Sequence, residues 1–188
     1  MEILTKSELQ LRFEEIAQKI ERGTLFIHPT DTIYGLGCNA LDDKAVKKIR
    51  EIKQNEEIPF SVWAPSVEWI KENCIVDKKA EAWLEKLPGP YTLVLKLKNK
   101  KAIAKGVNLG KDTIGVRMPE HWLSQAIKVL NFPLVTTSAN PCGKKAMTKL
   151  ENLDSSVQLS TEFAIYEGEK ISNPSKIIDL VSGSIKER

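Results

Sequence analysis

Apolar residues recur along this chain with two periods that alternate from segment to segment. Leu9, Phe13, Ile16, Ala17 and Ile20 fall on one helical face behind Ser7, which can cap the first turn, and Gly23 ends the run. Thr24 to His28 then reads as a buried strand. Asp42 predicts the cap of a second helix carrying Val46, Ile49 and Ile52, and Phe60 to Trp63 a short strand. Ser66 and Asp77 start two further helices, the second closed by Leu87 and Pro88. Tyr91 to Leu97 alternates in the manner of a strand with one face better buried, and Thr113 to Met118 is another strand. Pro119 suits a first helical position and opens a helix through Leu130. Strands follow at Leu134–Thr137, Phe163–Tyr166 and Lys176–Leu180, with a frayed tail from Ser182. Strands and helices alternate without the regular beat of a dinucleotide-binding fold, which predicts one α/β domain.

Composition narrows this picture without redirecting it. A chain of 188 residues supports one domain with a substantial core. No apolar run approaches the roughly 20 residues that cross a bilayer, and Met1-Glu2-Ile3-Leu4 lacks the layout of a leader peptide. The expectation is a cytoplasmic protein with no membrane partner. Cys38, Cys74 and Cys142 are odd in number and widely spaced, which argues against a disulfide framework and a structural zinc site. Net charge is a modest +3, but Lys96, Lys98, Lys100, Lys101 and Lys105 crowd one stretch, and Lys144, Lys145 and Lys149 another. Such lysines form either a solvated face or an electropositive rim for a triphosphate or an RNA backbone. Aromatic residues are not interleaved with them, which argues against a base-stacking platform.

Candidate chemistry gathers where apolar runs end abruptly in small polar residues. Leu25-Phe26-Ile27 leads into His28-Pro29-Thr30-Asp31-Thr32-Ile33-Tyr34-Gly35-Leu36-Gly37, and Phe132-Pro133-Leu134-Val135 leads into Thr136-Thr137-Ser138-Ala139-Asn140. A buried strand opening onto short polar groups is how α/β proteins present hydrogen bonds to a small ligand. Thr30-Asp31-Thr32 reads equally as a local turn closed by its own hydroxyls. Gly35 and Gly37 permit close approach of a ligand or supply positive φ. Arg117, a rare arginine in a lysine-rich chain, ends a strand where its fork suits a carboxylate or an ion pair with Glu120. Ser138 and Asn140 are neutral donors on one face, and Thr136 shares it. Neither His28 nor His121 has a nucleophile partner in a known motif, and no Walker-type loop occurs. No residue is assigned as catalytic and none as a metal ligand.

Taken with Pro88-Gly89-Pro90-Tyr91-Thr92-Leu93, Gly115-Val116-Arg117-Met118-Pro119 and Pro174-Ser175-Lys176-Ile177-Ile178-Asp179, these segments resemble the YrdC family. The motifs stand in the family's order over nearly the whole chain. The resemblance implies a single YrdC-like domain over 1–183 with a short tail at 184–188. It implies a twisted mixed sheet, helix-covered on one side, with an open, concave, basic face. It further implies synthesis of threonylcarbamoyl-adenylate and pyrophosphate from L-threonine, bicarbonate and ATP. Mg²⁺ or Mn²⁺ is then held mainly by the phosphates, and a separate transferase carries the product to tRNA. Carried over residue by residue, Thr32, Arg117, Thr136 and Ser175 match threonine contacts. Lys53, Thr113, Ser138 and Asn140 match nucleotide contacts.

Four positions depart from the family pattern, one of them Ile58, where some members have a polar contact. Asn55 stands where the family's Lys-x-Arg has arginine, Trp63 where many members have histidine, and Lys176 where threonine is usual. An asparagine cannot neutralise phosphate charge, so either Arg50 or the lysine-rich stretch supplies it, or ATP is bound weakly. The Asn55 departure keeps a second reading open, a non-catalytic relative that binds double-stranded RNA or tRNA. A third is a carbamoylating enzyme acting on another amino acid.

Overall fold

The computed structural model describes residues 1–186. Ten strands are described: β1 (Glu2–Leu4), β2 (Phe26–His28), β3 (Gly35–Gly37), β4 (Ser61–Trp63), β5 (Tyr91–Lys96), β6 (Thr113–Arg117), β7 (Leu134–Ser138), β8 (Phe163–Ile165), β9 (Lys176–Asp179) and β10 (Ile185–Lys186). They join in one sheet in the order β1-β8-β2-β3-β7-β4-β6-β5-β9-β10. The sheet is mixed: β1–β8, β8–β2, β4–β6 and β5–β9 run parallel, and the other neighbours antiparallel. The helices are α1 (Lys6–Leu11), α2 (Phe13–Glu21), α3 (Asp43–Lys53), α4 (Val67–Asn73), α5 (Lys78–Leu84), α6 (Lys105–Asn108), α7 (Leu123–Leu130) and α8 (Ser155–Ser160).

Three caps read from the sequence close their helices as expected. Asp42 accepts from the amides of Lys44 and Ala45, Ser66 from Trp69, and Asp77 from Ala80. The first helix differs. Thr5, not Ser7, is the cap, because Glu8 reaches back to its amide at 2.8 Å while Thr5 accepts from the Glu8 amide, a reciprocal capping box. Pro119 does not open a helix either. The Ser124 hydroxyl donates to the Pro119 carbonyl and the Leu123 amide to His121 Nδ1, so residues 119–122 form a turn and α7 begins at Leu123. The frayed tail expected from Ser182 is ordered in part, since Ile185 and Lys186 pair with β9 as β10. The remainder of that tail, 187–188, lies outside the described residues.

Alternation along the central strands divides the core between two faces. Ile27, Val62 and Val135 enter a large cluster with Val46 and Ile49 of α3, Ile70 of α4 and Leu84 of α5. Their neighbours Phe26, Trp63 and Leu134 enter a second cluster with Leu9, Ile16, Ile20, Leu123 and Ile127 from α1, α2 and α7. Helices therefore cover both faces, where the resemblance implied one. The second face is open only beyond α1, α2 and α7, and there β7 and β4 change from Leu134 and Trp63 to Thr136 and Ser61, beside Gly115 of β6. Among the described residues no helix is long and apolar enough to cross a membrane.

Candidate active site

The open part of the second face is floored by short side chains. Across the sheet, Thr136 of β7 pairs with Ser61 of β4, and Ser61 with Gly115 of β6. A side chain at 115 would fill this floor, since a Cβ there would stand 2.8 Å from Ser61 Oγ and 3.3 Å from Thr92 Cγ2. The resulting cavity holds about 180 Å³ open to water, and its lining includes Thr30, Thr32, Tyr34, Thr92, Arg117, Thr136, Ser138, Asn140, Lys144 and Ser175. Six of the eight residues singled out from the sequence thus meet in one place. Lys53 stands behind the cavity, and Thr113 lies outside its lining at the far end of β6.

Arg117 is anchored from the Thr30-Asp31-Thr32 turn. Its Nη2 donates to Asp31 Oδ1 at 2.9 Å and to Thr32 Oγ1 at 3.3 Å, and Asp31 also accepts from the Glu120 amide. Asp31 holds the guanidinium in place. Thr30 builds the turn itself: its hydroxyl donates to the Ile33 carbonyl and accepts from the amides of Thr32 and Ile33. The two threonines divide the work, one shaping the turn and the other meeting Arg117. On the opposite wall, Ser175 Oγ lies 2.8 Å from Thr92 Oγ1. The segment leading to Ser175 is held by Tyr34, whose hydroxyl donates to the Gly168 carbonyl and accepts from the Glu167 amide. Burial pushes the Tyr34 hydroxyl up to about 12, so it stays protonated as that donor.

Lys53 reaches across from the end of α3 and fixes the loop after β7. Its Nζ contacts the carbonyls of Ser138 at 2.8 Å and Asn140 at 2.5 Å, Asn140 Oδ1 at 3.0 Å and Ser138 Oγ at 3.2 Å. The ammonium is buried and holds in position the two residues matched to nucleotide contacts. Arg50 is also committed to the scaffold. It donates to the carbonyls of Gly106, Val107, Asn55 and Ile58, and its guanidinium lies 4.1 Å from the Phe60 ring centre. Asn55 closes that same loop, its Oδ1 accepting from the amides of Glu57 and Ile58.

Gly35 lines the cavity, and the bareness of both Gly35 and Gly37 also makes room for His28. Neither has positive φ, and a Cβ at 35 or 37 would strike the His28 imidazole at 2.6 or 2.9 Å. His28 is fully buried against Phe26 and edge-on to Trp63, each ring 5.6 Å away. Burial drives its pKa down to about 3, so the ring is neutral, and it packs among these aromatic rings outside the cavity lining. Trp63 is buried beside it, which accounts for an indole at this position. Thr92, Ser61 and Tyr34 were missed as site residues. Thr92 had a usable signal, a hydroxyl inside an otherwise apolar strand within a quoted motif.

Comparison with known proteins now bears directly on this cavity. The family model for Sua5, YciO and YrdC proteins, described as telomere recombination, matches residues 18–187. The chain belongs to this family. A relative in Methanocaldococcus jannaschii is 35% identical over 97% of this chain and 86% of its own length, and its name gives threonylcarbamoyl-AMP synthase provisionally. The threonylcarbamoyl-AMP synthase of Stutzerimonas stutzeri is 28% identical over 93% of this chain and 95% of its own length. That of Pyrococcus abyssi is 35% identical over 86% of this chain but only 48% of its own length, so the chain spans about half of some family members. The crystal structure of Pyrococcus abyssi Sua5 complexed with L-threonine superimposes with a TM-score of 0.86 at 31% identity, covering 98% of this chain and 55% of that one. Escherichia coli YciO, at 22% identity and a TM-score of 0.83, shares the fold over 99% of this chain and 92% of its own.

Proposed function

We propose that this chain is an L-threonylcarbamoyladenylate synthase, a nucleotidyltransferase that uses L-threonine, bicarbonate and ATP and releases pyrophosphate. One observation carries the reading: Arg117, fixed by Asp31 and Thr32, lines the same hydroxyl-rich cavity as Thr136, Ser138, Asn140 and Ser175. A guanidinium held on one side by a carboxylate is pre-set to receive a second carboxylate, that of an amino acid. Thr32, Thr136 and Ser175 then face the threonine, while Ser138 and Asn140 take the phosphate side. Relatives named for this activity, and one crystallised with L-threonine, support the assignment.

The chemistry asks for alignment more than for a covalent group. Condensation of the threonine amine with bicarbonate gives a carbamate and water. A carbamate oxygen then attacks the α-phosphorus, and the bond to pyrophosphate breaks. Holding carbamate and phosphorus within reach supplies much of the rate, and neutral donors stabilise the transferring phosphate without burying another charge. Among the described residues no three His, Cys, Asp or Glu side chains stand together. Mg²⁺ or Mn²⁺ would enter on the triphosphate, whose oxygens suit hard cations, and would offset phosphate charge. The product would go to a separate transferase that modifies an adenosine of tRNA.

A purely RNA-binding role has no comparable support, since it would need neither the anchored Arg117 nor the Ser138 and Asn140 loop that Lys53 fixes. Pyrophosphate release by the purified protein, measured with ATP, bicarbonate, a divalent cation and each amino acid in turn, tests the reading. Release that needs threonine and bicarbonate together is expected. ATP cleavage indifferent to threonine, or none at all with RNA tightly held, overturns it.

A further inference from the structure

The cations around the cavity differ in what their side chains already do. Arg117 is bonded to Asp31 and Thr32, and Lys53 to Ser138 and Asn140. Arg50 is bonded to four carbonyls of the scaffold. Lys144 also lines the cavity, and its arrangement is of another kind. Its carbonyl accepts from Asn140 Nδ2, so its backbone is tied to a residue of the site itself. Its side chain is 64% exposed and rests on Asp154 Oδ2 at 2.7 Å. Lys144 thus combines a fixed Cα at the cavity wall with a charge held only by an exposed ion pair.

We propose that Lys144 is a transferable phosphate ligand, which leaves Asp154 on nucleotide binding and pairs with the triphosphate. This inference rests on the ATP-dependent reading of the cavity given above. An exposed lysine–carboxylate pair contributes little to stability, whereas a polyphosphate offers several anionic oxygens to the same ammonium. Exchange of partner is therefore favourable once phosphates are present. Asp154 keeps the lysine charge compensated in the empty protein, and its carboxyl, held down to about 2 first by Lys144 and then by Ser156, is ionised at neutral pH. The Asn55 amide oxygen is committed to backbone amides, and its Nδ2 lies 3.9 Å from Cys142 Sγ, so the exchange supplies a cation from the segment that meets the Asn55 loop.

A double-variant cycle on ATP affinity tests this, with L-threonine affinity as the control for an intact cavity. Lys144→Gln should weaken ATP binding about tenfold. Asp154→Asn should tighten it about threefold at low salt, because the lysine no longer has a competing partner. Asparagine also serves as a helix cap, so α8 keeps its start. In Lys144→Gln/Asp154→Asn the gain should vanish, leaving the affinity of Lys144→Gln alone. Inorganic triphosphate used as a second probe should follow the same pattern, which separates phosphate contact from base recognition. The proposal is overturned if Lys144→Gln binds ATP like the parent. It is equally overturned if Asp154→Asn still tightens ATP in the Lys144→Gln background, since Asp154 then acts by repulsion alone. Threonine-dependent pyrophosphate release is scored separately on the parent protein: its absence counts against the synthase reading, whereas the cycle addresses Lys144.

Discussion

Arg117 carries its charge into a site where it is only 7% exposed, and Asp31 at 2.9 Å offsets the loss of hydration. The pairing sets the guanidinium plane before any ligand arrives. Arg117→Ala is therefore expected to raise the threonine dissociation constant at least tenfold, about 1.4 kcal/mol. Arg117→Lys should recover only part of this, because a point charge lacks the fork. Calorimetric titration with threonine checks both, and an unchanged alanine variant would remove Arg117 from the threonine site. His28 gives a second expectation at this scale. Its native pKa of about 3 lies below the ordinary 6.5, so between those values the unfolded chain binds more protons than the folded one. Stability from this residue is complete above pH 6.5 and is lost as pH falls toward 3. Thermal melts across that window should show the slope in the parent and a shallower one in His28→Leu. Residue types at the site were legible because each motif ends a strand in small polar groups. The partnership of Asp31 with Arg117 was not, since the two are far apart in sequence and meet only through the fold.

Elements place these residues by devices that sequence reveals unevenly. Caps at Asp42, Ser66 and Asp77 were readable because each acts on amides two or three residues ahead. Thr5 and Ser7 offered two starts for α1, and the reach of Glu8 decided between them. The staple from α3 to the loop after β7 left no local trace, although it fixes both Ser138 and Asn140. Lys53→Met keeps the length of the side chain and removes the donor, leaving buried carbonyls unpaired. A loss of about 1–3 kcal/mol in urea unfolding is expected, together with weaker ATP binding as the loop loses its position. Asn55→Arg addresses the departure from the family pattern. Arginine would place a cation near the phosphates but forfeits the two amide bonds that close the 55–58 loop. The expected outcome is a stability loss of about 1 kcal/mol and a gain in ATP affinity smaller than tenfold. A gain of tenfold or more at unchanged stability would show that the loop tolerates the guanidinium and that the charge alone was missing.

At the scale of the molecule, the cavity draws on β3, β7, β4, β6 and β5, which are neighbours in the sheet, and on the segments before β3 and β9. An α/β domain with ordered polar strand ends was legible from the pattern. The strand order was not, because β3, at Gly35–Gly37, is too short and glycine-rich to announce itself, yet it bridges β2 to β7. The conversion of one face from apolar cluster to open cavity also depends on that order, through the row Thr136, Ser61 and Gly115. A site built across this many strands should report on global unfolding. Calorimetry is expected to show one transition, shifted as a whole by ATP and threonine, since a ligand at about 100 times its dissociation constant adds about 2.7 kcal/mol to stability. Gly115→Val should abolish the threonine-induced shift by filling the floor beside Ser61 and Thr92, while the transition itself stays single. Two transitions in the parent, with only one of them responding to ligand, would mean that the halves of the sheet unfold independently and that the cavity belongs to just one of them.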